Sequence, residues 1–295
     1  MKVLVFGSLN IDLIFSVDHI VRPGETISSS ALEKSAGGKG ANQAASLAKA
    51  GMDVYMAGKI GADGEFLLDL LESYGVHTEN VVWYKGATGQ ALIQLDKNHQ
   101  NSIVLFSGGN TLITDDEINR TLEKFGSGDI LVLQNEINCT AELMRCAKER
   151  GLKIYLNPSP YDEGIAKLPL ELADAFFVNE IEGAALAEMP PETPFPAILE
   201  NLVKKFPHTE IILTAGKAGA FYGFKAVREK GNIIDLPVAD TTAAGDTFTG
   251  YFIAARAQAL PVEEALALAC KASSIAVSRK GAMASIPLAK EVFGD

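Results

Sequence analysis

Asp240-Thr-Thr-Ala-Ala-Gly-Asp-Thr-Phe-Thr-Gly250 is the stretch that decides how this chain is read. Its residues are small and turn-prone as far as Gly245. Residues 247–259 then read as a helix, with Phe248, Phe252 and Ala255 on one face. A small-residue loop that opens a helix presents unpaired backbone N–H groups and the positive end of a dipole. Such a place suits an anion, phosphate among them. Asp246 stands at its mouth, where a carboxylate could accept a proton from a substrate hydroxyl. Donors for developing negative charge, beside a base for the nucleophile, are what phosphoryl transfer to an alcohol needs. A plainer reading serves the spacing equally well: Asp246 caps the helix and Gly245 makes the turn.

Outward from this stretch the chain alternates strand and helix. Residues 2–7, 54–57, 130–133, 153–156, 175–178 and 210–214 read as buried strands, and residues 65–74, 114–124, 141–150, 180–188 and 197–205 as helices. Residues 262–280 form one long Ala-rich helix or two short ones. This rhythm predicts an α/β fold: a doubly wound, mainly parallel sheet between two layers of helices. Two stretches break it. Segments 11–36 and 88–107 carry strands with no helix between them, at 10–17, 26–35, 89–95 and 102–106. They predict a small antiparallel sheet inserted into a single domain, 1–295, as a lid.

The totals narrow the function. The chain has 295 residues and a formal charge of −11 with no basic run, which argues against nucleic acid as the main ligand. Three cysteines, Cys139, Cys146 and Cys270, make no C-x-x-C and no even framework, so a reducing, cytoplasmic setting is expected. Cys139 and Cys146 fall seven apart on an expected helix and should face a core. The apolar run at the N-terminus is too short for a signal peptide, and no apolar segment is long enough to span a bilayer. His19, His77, His99 and His208 share no metal spacing and read as surface or structural.

Several motifs carry polar groups to the carboxyl ends of the expected strands, where open α/β sheets bind ligands. Gly37-Gly-Lys-Gly-Ala-Asn-Gln43 opens a helix; its glycines admit a close ligand, and Lys39 and Asn42 bring donors. It is neither a Walker loop nor a dinucleotide fingerprint. In Gly7-Ser-Leu-Asn-Ile-Asp12, an Asp inside an apolar strand either pairs its oxygens, as sugar hydroxyls would allow, or faces water at the strand end. Asn110 and Glu136 follow strands in Gly108-Gly-Asn110 and Gln134-Asn-Glu136. Asn179-Glu-Ile-Glu182 reads as a capping box, as a sparse site for hydrated Mg²⁺, or as both. Thr214-Ala-Gly-Lys-Ala-Gly219 is a turn after a strand.

D-T-T-A-A-G-D-T-F resembles the C-terminal signature of the ribokinase (phosphofructokinase B) family of carbohydrate and nucleoside kinases. G-G-K-G-A-N-Q-A is similar to that family's sugar-binding signature, and the likeness runs along nearly the whole chain. The resemblance implies an ATP-dependent sugar kinase with a ribokinase-like fold. It implies Asp246 as catalytic base, with Ala243, Ala244 and Gly245 as anion hole. Asn10, Asp12, Gly38, Lys39, Asn42, Asn110 and Glu136 would hold the sugar. Asn179 and Glu182 would serve Mg²⁺ and the phosphates; Thr214, Gly216 and Gly219 would lie along the nucleotide. A monovalent cation, potassium, would sit among Asp240, Thr242, Ala276, Arg279, Gly281 and Ser285. Cys270 departs from the pattern, standing where many relatives carry Asn or His near the adenine. Ribose is the first expectation for the sugar; fructose, 2-keto-3-deoxygluconate and nucleosides are alternatives, and a non-catalytic sensor a distant one. A homodimer joined through the lid is also implied.

Overall fold

The computed structural model describes residues 1–98 and 100–294. Strand β1 (Val3–Phe6) shows how the main sheet is buried. Alternate side chains leave opposite faces of a strand. Val3 and Val5 enter one core, while Leu4 and Phe6 enter the other. Each such side chain, fully buried, stabilises by about 1.5–3 kcal/mol.

The chain then runs β2 (Asn10–Ser16), β3 (Ala31–Gly37), α1 (Lys39–Lys49), β4 (Val54–Ile60), α2 (Glu65–Ser73) and β5 (His77–Trp83). Next come β6 (Gly89–Leu95), β7 (Asn101–Phe106), α3 (Asp115–Leu122), β8 (Ile130–Gln134), α4 (Thr140–Glu149) and β9 (Lys153–Asn157). They are followed by β10 (Ala175–Asn179), α5 (Glu180–Leu186), α6 (Phe195–Lys205), β11 (Glu210–Thr214), β12 (Ala220–Phe224) and β13 (Val227–Gly231). Helices α7 (Ala244–Ala257), α8 (Val262–Val277) and α9 (Ala289–Phe293) end the described chain.

The main sheet has the order β13-β12-β11-β10-β9-β8-β1-β4-β5. It is parallel from β11 to β5, and β12 and β13 add an antiparallel edge. One core holds the inner faces of α1, α2, α7, α8 and α9, and the other those of α3 to α6. This is the expected three-layer arrangement.

The second sheet has the order β3-β2-β6-β7. It is mixed rather than antiparallel, because β2 and β6 run parallel, from Asn10↔Gly89 to Ser16↔Leu95. The segment between them passes through the main sheet before returning, so they meet in the same direction. Strand β3 begins at residue 31 rather than 26, since its length is set by its partner: Ser16 pairs with Ala31 and Asn10 with Gly37.

Two other expectations are corrected. Helix α7 starts at Ala244, three residues before the expected 247, so Asp246 lies inside its first turn. Cys139 precedes α4 in a left-handed conformation and is not on the helix, although it and Cys146 pack against the second core. Strands β12 and β13 escape the sequence reading because their two-residue turn, 225–226, carries no Asn-Gly or Asp-Gly signal. Among the histidines, His19 pairs with Glu25 at 2.9 Å, His77 stacks on Tyr55 and His208 is exposed, while His99 lies outside the described residues. No helix among the described residues is long and apolar enough to cross a membrane.

Candidate active site

Strand order reverses beside β1: the chain continues to β4 on one side and later to β8 on the other. Ligands of open α/β sheets bind in the crevice outside such a switch point. A cleft of about 280 Å³ lies further along the same carboxyl edge, past the ends of β9, β10 and β11; it is lined by Lys39, Asn157, Asn179, Glu182, Thr214 and the start of α7 from Ala243 to Asp246, among others, while Asn10, Asp12, Asn42, Asn110 and Glu136 lie outside its lining.

Helix α1 enters this crevice against the end of β1. Its N-cap, Gly38, has φ 93°, and a Cβ there would lie 2.8 Å from the Ser8 carbonyl oxygen. Only glycine takes that backbone and that approach without strain. The first-turn amides of α1 are not left for a ligand. The Lys39 N–H donates to Glu136 Oε2 (3.1 Å), the Gly40 N–H to Ser8 Oγ (3.2 Å) and the Ala41 N–H to the Ser8 carbonyl (3.0 Å). Ser8 Oγ also donates to Glu136 Oε2. Glu136 therefore caps α1 with one oxygen and keeps the other.

Asn10 and Asn110 are both buried and hold each other: Asn110 Nδ2 donates to Asn10 Oδ1 at 2.7 Å, and Asn110 Oδ1 accepts the Leu9 N–H at 3.1 Å. Asn110 thus fixes the backbone that carries Asn10. Asp12 is partly buried on β2 beside Gly37, where a Cβ would overlap its carboxyl group. Burial, and then the Glu136 charge, push the Asp12 carboxyl up to about 7.

Helix α7 supplies the opposite wall. Its N-cap is Ala243, in the left-handed region at φ 59°, with no capping side chain. Asp246 is therefore not the cap, and that plainer reading falls. A left-handed residue before a helical turn curves successive N–H groups around a concavity that suits an anion. The Ala244 N–H turns back to the Thr241 carbonyl (3.3 Å) and the Thr247 N–H bonds the Ala243 carbonyl (2.8 Å). Between them, the Gly245 and Asp246 amides lie in the first turn, where the helix itself offers no acceptor. Around Gly245 a Cβ would meet nothing within 4 Å, so the cleft is open there.

The Asp246 carboxylate is 8% exposed and held from α1: Asn42 Nδ2 donates to Oδ2 at 3.1 Å, and Gln43 Nε2 to Oδ1 at 2.9 Å. Burial pushes its pKa up, against the pull of Lys39, Gln43 and Asn42. Burial also opposes the charge on Lys39, but Asp246, Glu136 and Glu182 together outweigh it and hold the ammonium above its ordinary range. Among the described residues Lys39 is the one cation lining the cleft, and it faces all three carboxylates.

Asn179 and Glu182 form the capping box and line the cleft at the same time. Asn179 Oδ1 accepts the Ile181 and Glu182 amides at 2.9 and 2.8 Å, and Glu182 Oε2 accepts the Asn179 amide at 3.0 Å. Thr214 ends β11, and Gly216 and Gly219 make the turn after it at φ 49° and 90°. Asp240 gathers its loop: Oδ1 accepts from Thr242 N–H (2.9 Å) and Oγ1 (2.7 Å), and Oδ2 from the Gly281 N–H (3.1 Å). Burial opposes its charge, but these bonds hold the carboxyl below its ordinary range. The side chains of Arg279 and Ser285 turn elsewhere, to Glu291 and to the Ala282 carbonyl, and Ala276 is buried on α8. Cys270 is buried on α8 beside Gly231, and burial pushes its thiol up to about 11.

Sequence reasoning missed Asn157 and Ser159, which also line the cleft. Asn157 ends β9, and the strand-end rule that found Glu136 and Asn179 would have found it. It also passed over Gln43 and Gln134, which were read only as parts of motifs.

A profile of the pfkB family carbohydrate kinases matches residues 1–289. A ribokinase of Haemophilus influenzae is 33% identical over 298 aligned residues, covering 98% of this chain and 96% of that one. A deoxyribokinase of Salmonella typhi is 31% identical, covering 97% of this chain and 96% of that one. Among solved structures, the Arabidopsis thaliana ribokinase complexed with ribose and ATP superposes with a TM-score of 0.89 at 32% identity, covering 99% of this chain and 97% of that one.

Proposed function

The chain belongs to the pfkB family of carbohydrate kinases, and from that membership we propose that it transfers the γ-phosphoryl group of ATP to a primary hydroxyl of a small sugar, ribose first among them. The observation that carries this reading is the Asp246 carboxylate. It is buried at the first turn of α7, gripped by two α1 amides, and set beside Lys39 and two N–H groups without helical acceptors.

Asp246 accepts the proton of the attacking hydroxyl as its oxygen bonds to the γ-phosphorus and the bond to ADP breaks. The Gly245 and Asp246 amides receive charge on the phosphoryl oxygens, and Lys39 adds a positive charge on the same side. Asp12, Asn10 and Asn42 hold the sugar. Asn42 is suited to this because its Oδ1 is buried with no partner while its nitrogen serves the base. A sugar hydroxyl would satisfy that oxygen. Ribose rests on the match to ribokinases; the deoxyribokinase match keeps 2-deoxyribose as the second candidate.

Asn179 and Glu182 fit a divalent ion that keeps most of its water: both line the cleft, the capping box uses only Oε2 of the Glu182 carboxylate, and no cluster of three His, Cys, Asp or Glu side chains occurs among the described residues. Mg²⁺ bound there would neutralise phosphate charge. Asp240 and Thr242, with the 276–285 loop, would hold potassium behind the α7 turn. The β3-β2-β6-β7 sheet acts as the lid that excludes water from the acceptor site.

The test is Asp246→Asn, with thermal melting to confirm folding. Turnover falls about 10²–10⁴-fold while the sugar KM stays close to that of the parent. Near-normal turnover in that variant would sink the assignment of the base.

A further inference from the structure

Gln43 and Gln134 are fully buried, and no step of the proposed reaction uses them directly. They form a chain that ends on the base. Gln43 Nε2 donates to Asp246 Oδ1 at 2.9 Å, and Gln134 Nε2 donates to Gln43 Oε1 at 2.6 Å. Gln134 Oε1, at the far end, is buried with no partner, against Gly7, where a Cβ would overlap it.

The polarity of this chain has one source. A carboxylate only accepts hydrogen bonds, so Gln43 must present its nitrogen to Asp246. Its oxygen then faces Gln134, which must present nitrogen in turn. The remaining oxygen is left in the protein interior without a donor. Buried acceptors are seldom left so. Here the charge on Asp246 dictates the orientation of both amides and accounts for the unpaired atom.

We infer that Gln43 is a positioning residue for the base and that Gln134 positions Gln43, the two amides being locked in one polarity so that the Asp246 carboxylate is aimed at the acceptor hydroxyl. The inference rests on the reading of Asp246 as the base. Asn42 Nδ2 holds the second oxygen at 3.1 Å, so the carboxylate is fixed at both atoms from one helix. Gly7 and Gly40 make the grip possible. A Cβ on Gly40 would lie 2.5 Å from the Ser8 nitrogen, and without that approach α1 could not bring Gln43 within reach of both Gln134 and α7. Two N–H donors also favour the ionised carboxyl over the acid. The charged group facing Asp246 is Lys39 on α1, and Lys39 in turn faces Glu136 after β8 and Glu182 on α5. Helix α8, also packed on α7, offers the Ser273 hydroxyl to the Ala244 carbonyl of the same turn.

The test is steady-state kinetics with ATP and ribose, across pH, for the full chain carrying Gln43→Met, Gln134→Met, both, or Asp246→Asn. The methionines keep length and remove the amide. Gln43→Met lowers kcat roughly 10- to 100-fold, the cost of a misaimed base, while the ribose KM changes less than about 3-fold. The acid limb of kcat moves to higher pH. Gln134→Met moves both readouts the same way by less, and the double variant is no worse than Gln43→Met, as for one relay. An unmoved acid limb with kcat within about twofold of the parent overturns the inference, as do losses that multiply like those of independent sites. If Gln43→Met does not fold, Gln134→Met decides alone, through the same limb and kcat. Near-parental turnover in Asp246→Asn removes the base and this inference with it. An inactive Asp246→Asn beside an unaltered Gln43→Met removes the inference only.

Discussion

Asp12 is pulled two ways. Its place on β2 buries the carboxyl and sets it near Glu136, which lifts its pKa to about 7, yet gripping sugar hydroxyls needs it ionised. The ribose KM should therefore rise as pH falls through about 7, and Asp12→Asn should flatten that dependence at a higher KM. The same shift has a stability sign. A carboxyl whose folded pKa is raised contributes stability that is full below its unfolded value and is lost as pH rises through about 7. Asp12→Asn should thus gain roughly 1–4 kcal/mol at pH 8 and close to nothing at pH 3.5, read from urea midpoints. An equal difference at both pH values would contradict this account of Asp12. The types of the site residues were legible in the sequence, because Glu136, Asn179 and Asp246 sit at strand ends or helix starts and Asp12 is a charge inside an apolar strand. Their pairings were not. That Glu136 caps α1, or that Gln43 reaches Asp246, depends on contacts between residues 97 and 203 positions apart.

Helices α1 and α7 show how similar openings diverge. Both follow loops of small residues, though only α7 reads as an anion site. Ser8 and Glu136 consume the first-turn amides of α1, while α7, opened by the left-handed Ala243, leaves the Gly245 and Asp246 amides without a helical acceptor. The two helices touch at Gly250, where a Cβ would lie 2.6 Å from Ser46 Cβ, and this approach brings Asn42 and Gln43 onto Asp246. Period and caps placed α1 to α6, α8 and most parallel strands, while the start of α7 was misplaced and α9 was not read. The Thr247 and Thr249 hydroxyls bond back to the Ala243 and Gly245 carbonyls, four residues earlier, a local competition with the helix that made its first turn hard to read from propensity. The loop before α7 bears a prediction of its own. Asp240, held ionised by Thr242 and Gly281, lies just before that turn. A monovalent cation there should order the turn, so potassium should raise kcat severalfold over tetramethylammonium at equal ionic strength. Equal rates in the two salts would remove the cation from the account.

At the scale of the molecule, the doubly wound body was legible because each parallel strand is an apolar run between helices of 3.6 periodicity. The second sheet was legible as an interruption of that rhythm. Its mixed pairing was not, since β2 and β6 are joined through the body. This sheet also leaves apolar surface uncovered: Leu32, Ile103, Val104, Leu105 and Phe106 are each at least half exposed, and β7 is a free edge. Soluble chains seldom leave such an edge bare, and a second copy of the sheet would cover it. Sedimentation should therefore show a dimer at micromolar concentration, and Val104→Lys with Phe106→Lys should make it a monomer; a monomeric parent would end the proposal of a lid-joined pair. The central claim, a kinase acting on a small sugar at Asp246, is tested most directly by ADP release with ATP, Mg²⁺ and potassium over ribose, 2-deoxyribose, fructose, 2-keto-3-deoxygluconate and adenosine. Ribose turning over well above the others, with 2-deoxyribose next, is the predicted result. ADP release no faster with any of them than without an acceptor would contradict it.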